Sequence, residues 1–191
     1  MKILKGEFKN RSIIVPGKTR PVALRVKRSL FDILQDVIPE SHVLDLFAGS
    51  GALGIESVSQ GAHHAVFVDS GLSPVKTIRQ NVNSLKIAHK TKVICKDALA
   101  VVKRFHERGD HFDIIYADPP YYQGLTRKTL HTLEAYDILT PRGFVVVTCF
   151  YKDIFDSQFT HFQEISRRSY GQTVIIVYQN RDEKSHISRD I

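Results

Sequence analysis

Between residues 42 and 148 the chain alternates short β-branched runs with longer stretches of helical spacing, and few folds accommodate that alternation. The runs are residues 42–48 (HVLDLFA), 65–69 (AVFVD), 92–95 (KVIC), 112–117 (FDIIYA) and 144–148 (FVVVT). They are nearly continuous in apolar character, as strands covered on both faces are. Residues 51–60, 73–85, 98–108 and 125–139 between them read as helices. The pattern predicts an α/β fold in which a mostly parallel sheet carries helices on both sides, joined by right-handed crossovers. Residues 162–169 and 172–178 flank Tyr170-Gly171 and predict an antiparallel hairpin that closes the sheet edge, giving seven strands.

Upstream lies a short basic extension with a β/helix pattern. Ile3, Phe8 and Ile13-Ile14-Val15, broken by Gly6 and Asn10, predict a strand pair over residues 2–15. From Pro21 the apolar positions Val22, Val26, Leu30, Ile33, Leu34 and Val37 recur at helical spacing, with Arg25, Lys27 and Arg28 falling largely elsewhere around the helix. Pro21 suits the first turn and Pro39 marks the exit. The expected division is an extension over residues 1–40, a main domain over 41–180 and a polar tail over 181–191.

Charge separates the extension from the rest. Residues 1–28 hold nine lysines and arginines against the single acid Glu7, whereas the remainder carries 18 bases and 19 acids. A near-neutral body with a basic arm is the distribution that grips a polyanion on one face. At 191 residues and 42% hydrophobic the chain can bury one core, which excludes a multi-domain machine and a disordered chain. No uncharged apolar run reaches the roughly 18 residues of a membrane span, and the N-terminal residues lack a signal-peptide stretch, so a cytoplasmic protein without membrane contact is expected. Cys95 and Cys149 sit in strand-like runs, so two separate buried thiols are expected, and no ligand spacing points to a metal.

The strongest local motif is VLDLFAGSGALG, residues 43–54. A buried strand runs into Gly49-Ser50-Gly51, where a ligand can lie against the backbone, and then into a helix whose first amides face the same crevice. Gly49, Gly51 and Gly54 also satisfy the dinucleotide spacing G-x-G-x-x-G. Asp45, just before the loop, suits pyrophosphate poorly and suits the cationic amino-acid end of S-adenosylmethionine well. Asp69 at the tip of the second strand suits ribose hydroxyls, and Asp97 after the third can accept from the adenine amine. Phe47, Ala48, Ser50, Ser70 and Ala98 flank these positions and complete the expected cofactor site. Taken singly, each acid could equally be a helix cap; three ending successive strands at one crevice favour a ligand.

Residues 116–122, YADPPYY, end the fourth strand at the switch point of such a sheet. Two prolines fix φ, so the Asp118 carboxylate and the Pro119 carbonyl can converge on one point, with Pro120 setting the turn and Tyr121 offering a ring. Two acceptors beside a ring match an exocyclic amine on a planar base: they take its two N–H bonds and turn the nitrogen lone pair toward a methyl donor.

FAGSGALG together with DPPY resembles the amino-methyltransferase branch of the S-adenosylmethionine-dependent methyltransferases. With Arg20-Pro21, Arg25-Val26-Lys27-Arg28 and Leu30-Phe31-Asp32-Ile33-Leu34, the chain is similar over residues 4 to about 178 to the RsmD family of small-subunit (16S) rRNA guanine-N2 methyltransferases. The resemblance implies a Rossmann-like methyltransferase fold, S-adenosylmethionine as methyl donor and no metal. It also implies transfer to the N2 amine of a guanine in small-subunit rRNA, in assembled or partly assembled 30S subunits, with the rRNA or the 30S particle as partner; a monomer is expected. Arg11, Lys18, Arg20, Arg25, Lys27 and Arg28 would then engage phosphates. The arm departs from the family's usual R-P-T-x-x-R-V-R at Val22-Ala23-Leu24, and Asn10 stands where Gly is common. Alternatives are a DNA adenine or cytosine amino-methyltransferase, which usually carries a larger target-recognition region, a nicotinamide-dependent oxidoreductase, which leaves DPPY unexplained, and a non-catalytic RNA-binding assembly module.

Overall fold

The computed structural model describes residues 1–16, 24–121, 124–153 and 159–181. Within them seven strands form one sheet: β1 His42–Leu46, β2 His64–Asp69, β3 Thr91–Cys95, β4 Phe112–Ala117, β5 Leu139–Phe150, β6 Phe162–Tyr170 and β7 Thr173–Asn180. The helices are α1 Leu24–Ile33, α2 Ala52–Ser59, α3 Leu72–Ser84, α4 Ala98–Arg108 and α5 Leu125–Ala135. Strand order is β3-β2-β1-β4-β5-β7-β6. β1 to β5 run parallel, and β7 pairs antiparallel with both β5 and β6. The chain therefore turns from one half of the sheet to the other between β1 and β4, where ligands of open α/β sheets sit.

The continuous apolar runs are explained by two cores, one on each face. Val43, Phe67, Ile114, Tyr116, Val146, Ile175 and Val177 point to the side covered by α1, α2 and α3. Their neighbours Leu44, Leu46, Val66, Val68, Ile115, Val145, Val147 and Ile176 point to the side covered by α4 and α5. With a side-chain period of two, every strand residue needs to be apolar when both faces are covered.

The N-terminal extension has no core of its own. Ile3, Phe8 and Ile13 join Val26, Leu30, Phe31 and Leu34 of the first helical segment in the same cluster as α2 and α3. Instead of a strand pair, residues 2–15 make an isolated antiparallel bridge, Lys2 to Ser12. Gly6 and Asn10 take φ of 80° and 69°, which folds the intervening loop back so that its amides bond to α2: Glu7 N donates to Ser59 O at 2.7 Å and Phe8 N to Ser59 Oγ at 3.0 Å. A Cβ on Gly6 would stand 1.7 Å from Ser59 O, so this approach requires glycine.

Other expectations need correction. β3 is not buried on both faces, because it forms the sheet edge; Cys95 is accordingly exposed, whereas Cys149 is buried in β5. α1 ends at Ile33 rather than near Val37, and residues 34–40 follow as turns; Pro21 and Val22 lie outside the described residues. α5 stops at Ala135, four residues early, and β5 begins at Leu139 rather than Phe144. The polar tail from residue 182 onward lies outside the described residues.

Candidate active site

The carboxyl ends of β1, β2 and β4 bring three carboxylates to one crevice. Asp45, next to last in β1, is 2% exposed, and its Oδ2 accepts from Gly54 N at 3.0 Å. No donor among the described residues reaches its Oδ1. Burial is the first cause that holds this carboxyl well above the usual range; the Gly54 amide opposes it, and the nearby Asp118 and Asp69 charges add to it. Asp69 is spanned by backbone: Oδ2 accepts from Gly49 N at 2.9 Å and Oδ1 from Gly71 N at 2.8 Å. It thereby ties the loop after β2 to the glycine loop after β1, and it stays partly exposed.

The glycine loop is shaped by left-handed backbone. Phe47, Gly49 and Gly51 have φ of 61°, 56° and 76°, a conformation that is costly for a ring-bearing residue such as Phe47 and that clusters at ligand sites. Gly54 has a different role. A Cβ there would meet the Phe67 ring at 2.4 Å, so its absence lets α2 lie directly on β2. Ser50 is held by Asn81 of α3, whose Nδ2 donates to Ser50 O at 3.0 Å and to Ile14 O at 2.9 Å while its Oδ1 accepts from Ile14 N at 2.8 Å. Asn81 is 1% exposed and ties the arm to the glycine loop. Its signal in the sequence is an amide on the apolar stripe of Ile78, Val82 and Leu85, whereas Gln80 and Asn83 of the same helix fall on the exposed side.

On the other side of the crevice Asp118 follows β4. Thr148 Oγ1, on the neighbouring β5, donates to Asp118 Oδ1. Pro119 is buried and Pro120 exposed. The half-buried Tyr121 bonds through its hydroxyl to Thr173 Oγ1 at 3.0 Å, and its ring leans on Phe150 at 6.0 Å. Thr148, Phe150 and Thr173 thus surround the DPPY turn from β5 and β7. Tyr122 lies outside the described residues. Asp97 caps α4, with Oδ1 accepting from Ala100 N at 2.9 Å, and remains exposed, as does Ser70; Ala98 is buried behind them. Among the described residues no three His, Cys, Asp or Glu side chains stand close enough to hold a metal ion.

The arm residues divide. Arg11 is exposed, with Nη2 donating to Ser84 O at 3.1 Å, and Arg25 and Arg28 are exposed on α1. Lys18 and Arg20 lie outside the described residues. Lys27 is a correction: it is 0% exposed and its Nζ lies 2.6 Å from Glu56 Oε2, so it presents no charge to a phosphate. Residues 27, 30, 31 and 34 share one helical stripe, and Lys27 points inward with Leu30 and Phe31. Burial pushes its pKa down, against the pull of Glu56. Glu56, also 0% exposed, accepts in addition from Leu4 N at 2.9 Å, Lys5 N at 2.8 Å and Gln60 Nε2 at 3.0 Å, and so anchors the arm to α2.

A family model described as "Conserved hypothetical protein 95" matches residues 1–179. A Bacillus subtilis protein named "Putative rRNA methyltransferase YlbH" is 30% identical over 183 residues, 95% of this chain and 100% of its own length. An Escherichia coli protein named "Ribosomal RNA small subunit methyltransferase D" is 31% identical over 149 residues, 77% of this chain and 73% of its own. Among solved structures, "Putative methyltransferase yhhF from Escherichia coli" superposes with a TM-score of 0.83 at 28% identity, covering 94% of this chain and 97% of that one.

Proposed function

The chain belongs to the family described as conserved hypothetical protein 95, and we propose that it moves a methyl group from S-adenosylmethionine to the exocyclic N2 amine of a guanine in small-subunit rRNA, in partly assembled subunits. The observation that carries this reading is the convergence of Asp45, Asp69 and Asp118 around a glycine loop, with the DPPY turn beside them. A buried Asp45 carboxyl whose proton affinity is raised by burial first and then by the Asp118 and Asp69 charges calls for a cation. A ligand with an ammonium group and a sulfonium centre supplies one, and a pyrophosphate does not.

In this reading the Asp45 Oδ1, which lacks a donor among the described residues, receives the ammonium group. The backbone of Gly49, Ser50 and Gly51, flanked by Phe47 and Ala48, carries the amino-acid end. Asp69 accepts from ribose hydroxyls, and Asp97 with Ser70 and Ala98 borders the adenine. Asp118 and the Pro119 carbonyl accept the two N–H bonds of the guanine amine, with Pro120 fixing the turn, and this turns the nitrogen lone pair out of the ring plane. Thr148 positions Asp118, and Tyr121 stacks on the extruded base. When bound, the cofactor would supply the methyl group together with its own sulfur as leaving group, and Asp118, or water beside it, would take the proton that the amine sheds. Arg11, Lys18, Arg20, Arg25 and Arg28 hold phosphates; Lys27 does not.

The test is transfer of labelled methyl from S-adenosylmethionine to under-methylated small subunits, their naked rRNA and duplex DNA, with nucleoside mass spectrometry of the product. N2-methylguanosine from subunits, lost in Asp118→Ala, is the expected result. Label in a DNA adenine or cytosine, or no label despite cofactor binding, would overturn the assignment.

A further inference from the structure

Three exposed arginines, Arg25, Arg28 and Arg168, stand where the C-terminal hairpin meets α1. Several surface cations have carboxylate partners: Lys5 pairs with Asp32 at 2.7 Å, Arg167 with Glu164 at 2.6 Å, Arg108 with Asp110 at 3.2 Å and Lys103 with Glu107 at 3.9 Å. Arg25, Arg28 and Arg168 are exposed and make no ion pair among the described residues. Arg168, on the edge strand β6, donates from Nη1 to Ser29 Oγ of α1 at 2.8 Å. Ser29 adjoins Arg28 in sequence and stands one helical turn from Arg25. Arg168 is thereby joined to the stretch of α1 that carries the exposed Arg25 and Arg28, and the acids Asp32 of α1 and Glu164 of β6 are already taken by Lys5 and Arg167.

The sheet register relates this patch to the site. Arg168 pairs with Ile175 of β7, and Ile175 pairs with Thr148 of β5. Two strand spacings of about 4.8 Å put the Arg168 backbone about 10 Å from that of Thr148, whose hydroxyl holds Asp118. Ile175 and Val146, two residues from Thr148, face the side covered by α1, and the bond to Ser29 puts Arg168 on that same side.

We propose that the C-terminal hairpin forms part of the RNA interface, with Arg168 joining Arg25 and Arg28 to hold phosphates next to the nucleotide presented to Asp118. The proposal rests on the rRNA reading above. Arginine suits it, since its planar fork engages a phosphate in bidentate fashion and keeps its charge at any working pH. The hairpin reads as a mere sheet edge in the sequence, and its contribution follows from register and the α1 contact.

The test is a salt titration of binding by the full chain to naked small-subunit rRNA and to under-methylated subunits. Losing one phosphate contact lowers the slope of log affinity against log salt by about 0.7 to 0.9, which at 0.1 M salt is about a five- to eightfold weaker complex. Arg168→Ala should show both changes, with S-adenosylmethionine affinity and melting temperature unchanged. Arg168→Lys should recover most of the affinity, and Arg167→Ala, whose guanidinium is occupied by Glu164, should leave the slope in place. An unchanged slope in Arg168→Ala, or a loss of RNA binding that tracks a lowered melting temperature, would overturn the proposal. Wild-type protein that binds neither RNA nor subunits would overturn the rRNA reading with it. Normal binding without methyl transfer would count against the catalytic assignment while leaving the interface standing.

Discussion

The Lys27–Glu56 pair offers a sharp separation between folding and RNA binding. Both side chains are 0% exposed and 2.6 Å apart. Lys27→Met keeps the length of the side chain and removes its charge, leaving the Glu56 carboxylate buried without its cation. Breaking a buried pair in this way costs about 3–5 kcal/mol. The low end applies here, because Glu56 still accepts from the Leu4 and Lys5 amides and from Gln60. For a chain of 150–250 residues each kcal/mol moves the melting temperature by about 2–4 °C, so a fall of about 6–12 °C is expected. Urea unfolding should give the same loss with an unchanged slope. RNA affinity and its salt slope, measured well below the melting temperature, should match the wild type. Removing Glu56 as well, in Lys27→Met/Glu56→Met, should not restore stability fully, since the part-buried Leu4 and Lys5 amides then lose their acceptor at about 1 kcal/mol each. A variant that melts like the wild type but binds RNA five- to eightfold more weakly would refute the placement of Lys27 in the core.

Two further outcomes concern the crevice. Thr148→Val removes the hydroxyl that holds Asp118 while preserving shape; a hydrogen bond to a charged group is worth about 1.5–3 kcal/mol, so kcat should fall by about 10- to 150-fold with KM for S-adenosylmethionine unchanged, Thr148→Ser should recover most of it, and an unchanged kcat would refute the positioning role. Because the folded-state pKa of Asp45 is raised by burial, the folded protein binds more protons than the unfolded chain between the ordinary value of 3.8 and the raised one, so its contribution to stability is largest below 3.8 and declines as pH rises through that window. Asp45→Asn should flatten this part of the urea-midpoint profile and weaken cofactor binding, which in the wild type should tighten as pH rises and the carboxylate ionises; a pH profile identical in the two proteins would refute the assignment.

The fold was legible because its signals were local and repeated. Five apolar runs spaced by helical segments admit few arrangements other than a parallel sheet covered on both sides, and the Tyr170-Gly171 turn announced the hairpin. The errors fell where a local pattern depends on distant neighbours. The run ending in Cys95 looked like the other strands, yet its position at the sheet edge, which no single run specifies, exposes it. The segment 2–15 had strand character, yet its amides bond to Ser59 and Glu56 some fifty residues away.

The same division applies within the site. Asp45, Asp69, Asp97, Asp118 and the glycines announce themselves because each stands at the end of a strand, a place readable from the pattern. Their partners do not. Thr148 and Thr173 are ordinary strand residues, and they reach Asp118 and Tyr121 because β5 lies between β4 and β7. Lys27 was misplaced for a related reason. Charge alone put it on the surface, and only the matching acid at position 56, buried on another helix, makes an inward lysine tolerable. Arg168 is the converse: a residue of an unremarked edge strand that topology sets beside the basic face of α1. A search for phosphate contacts in this chain should therefore follow the sheet register from Asp118 outward rather than the density of basic residues along the sequence.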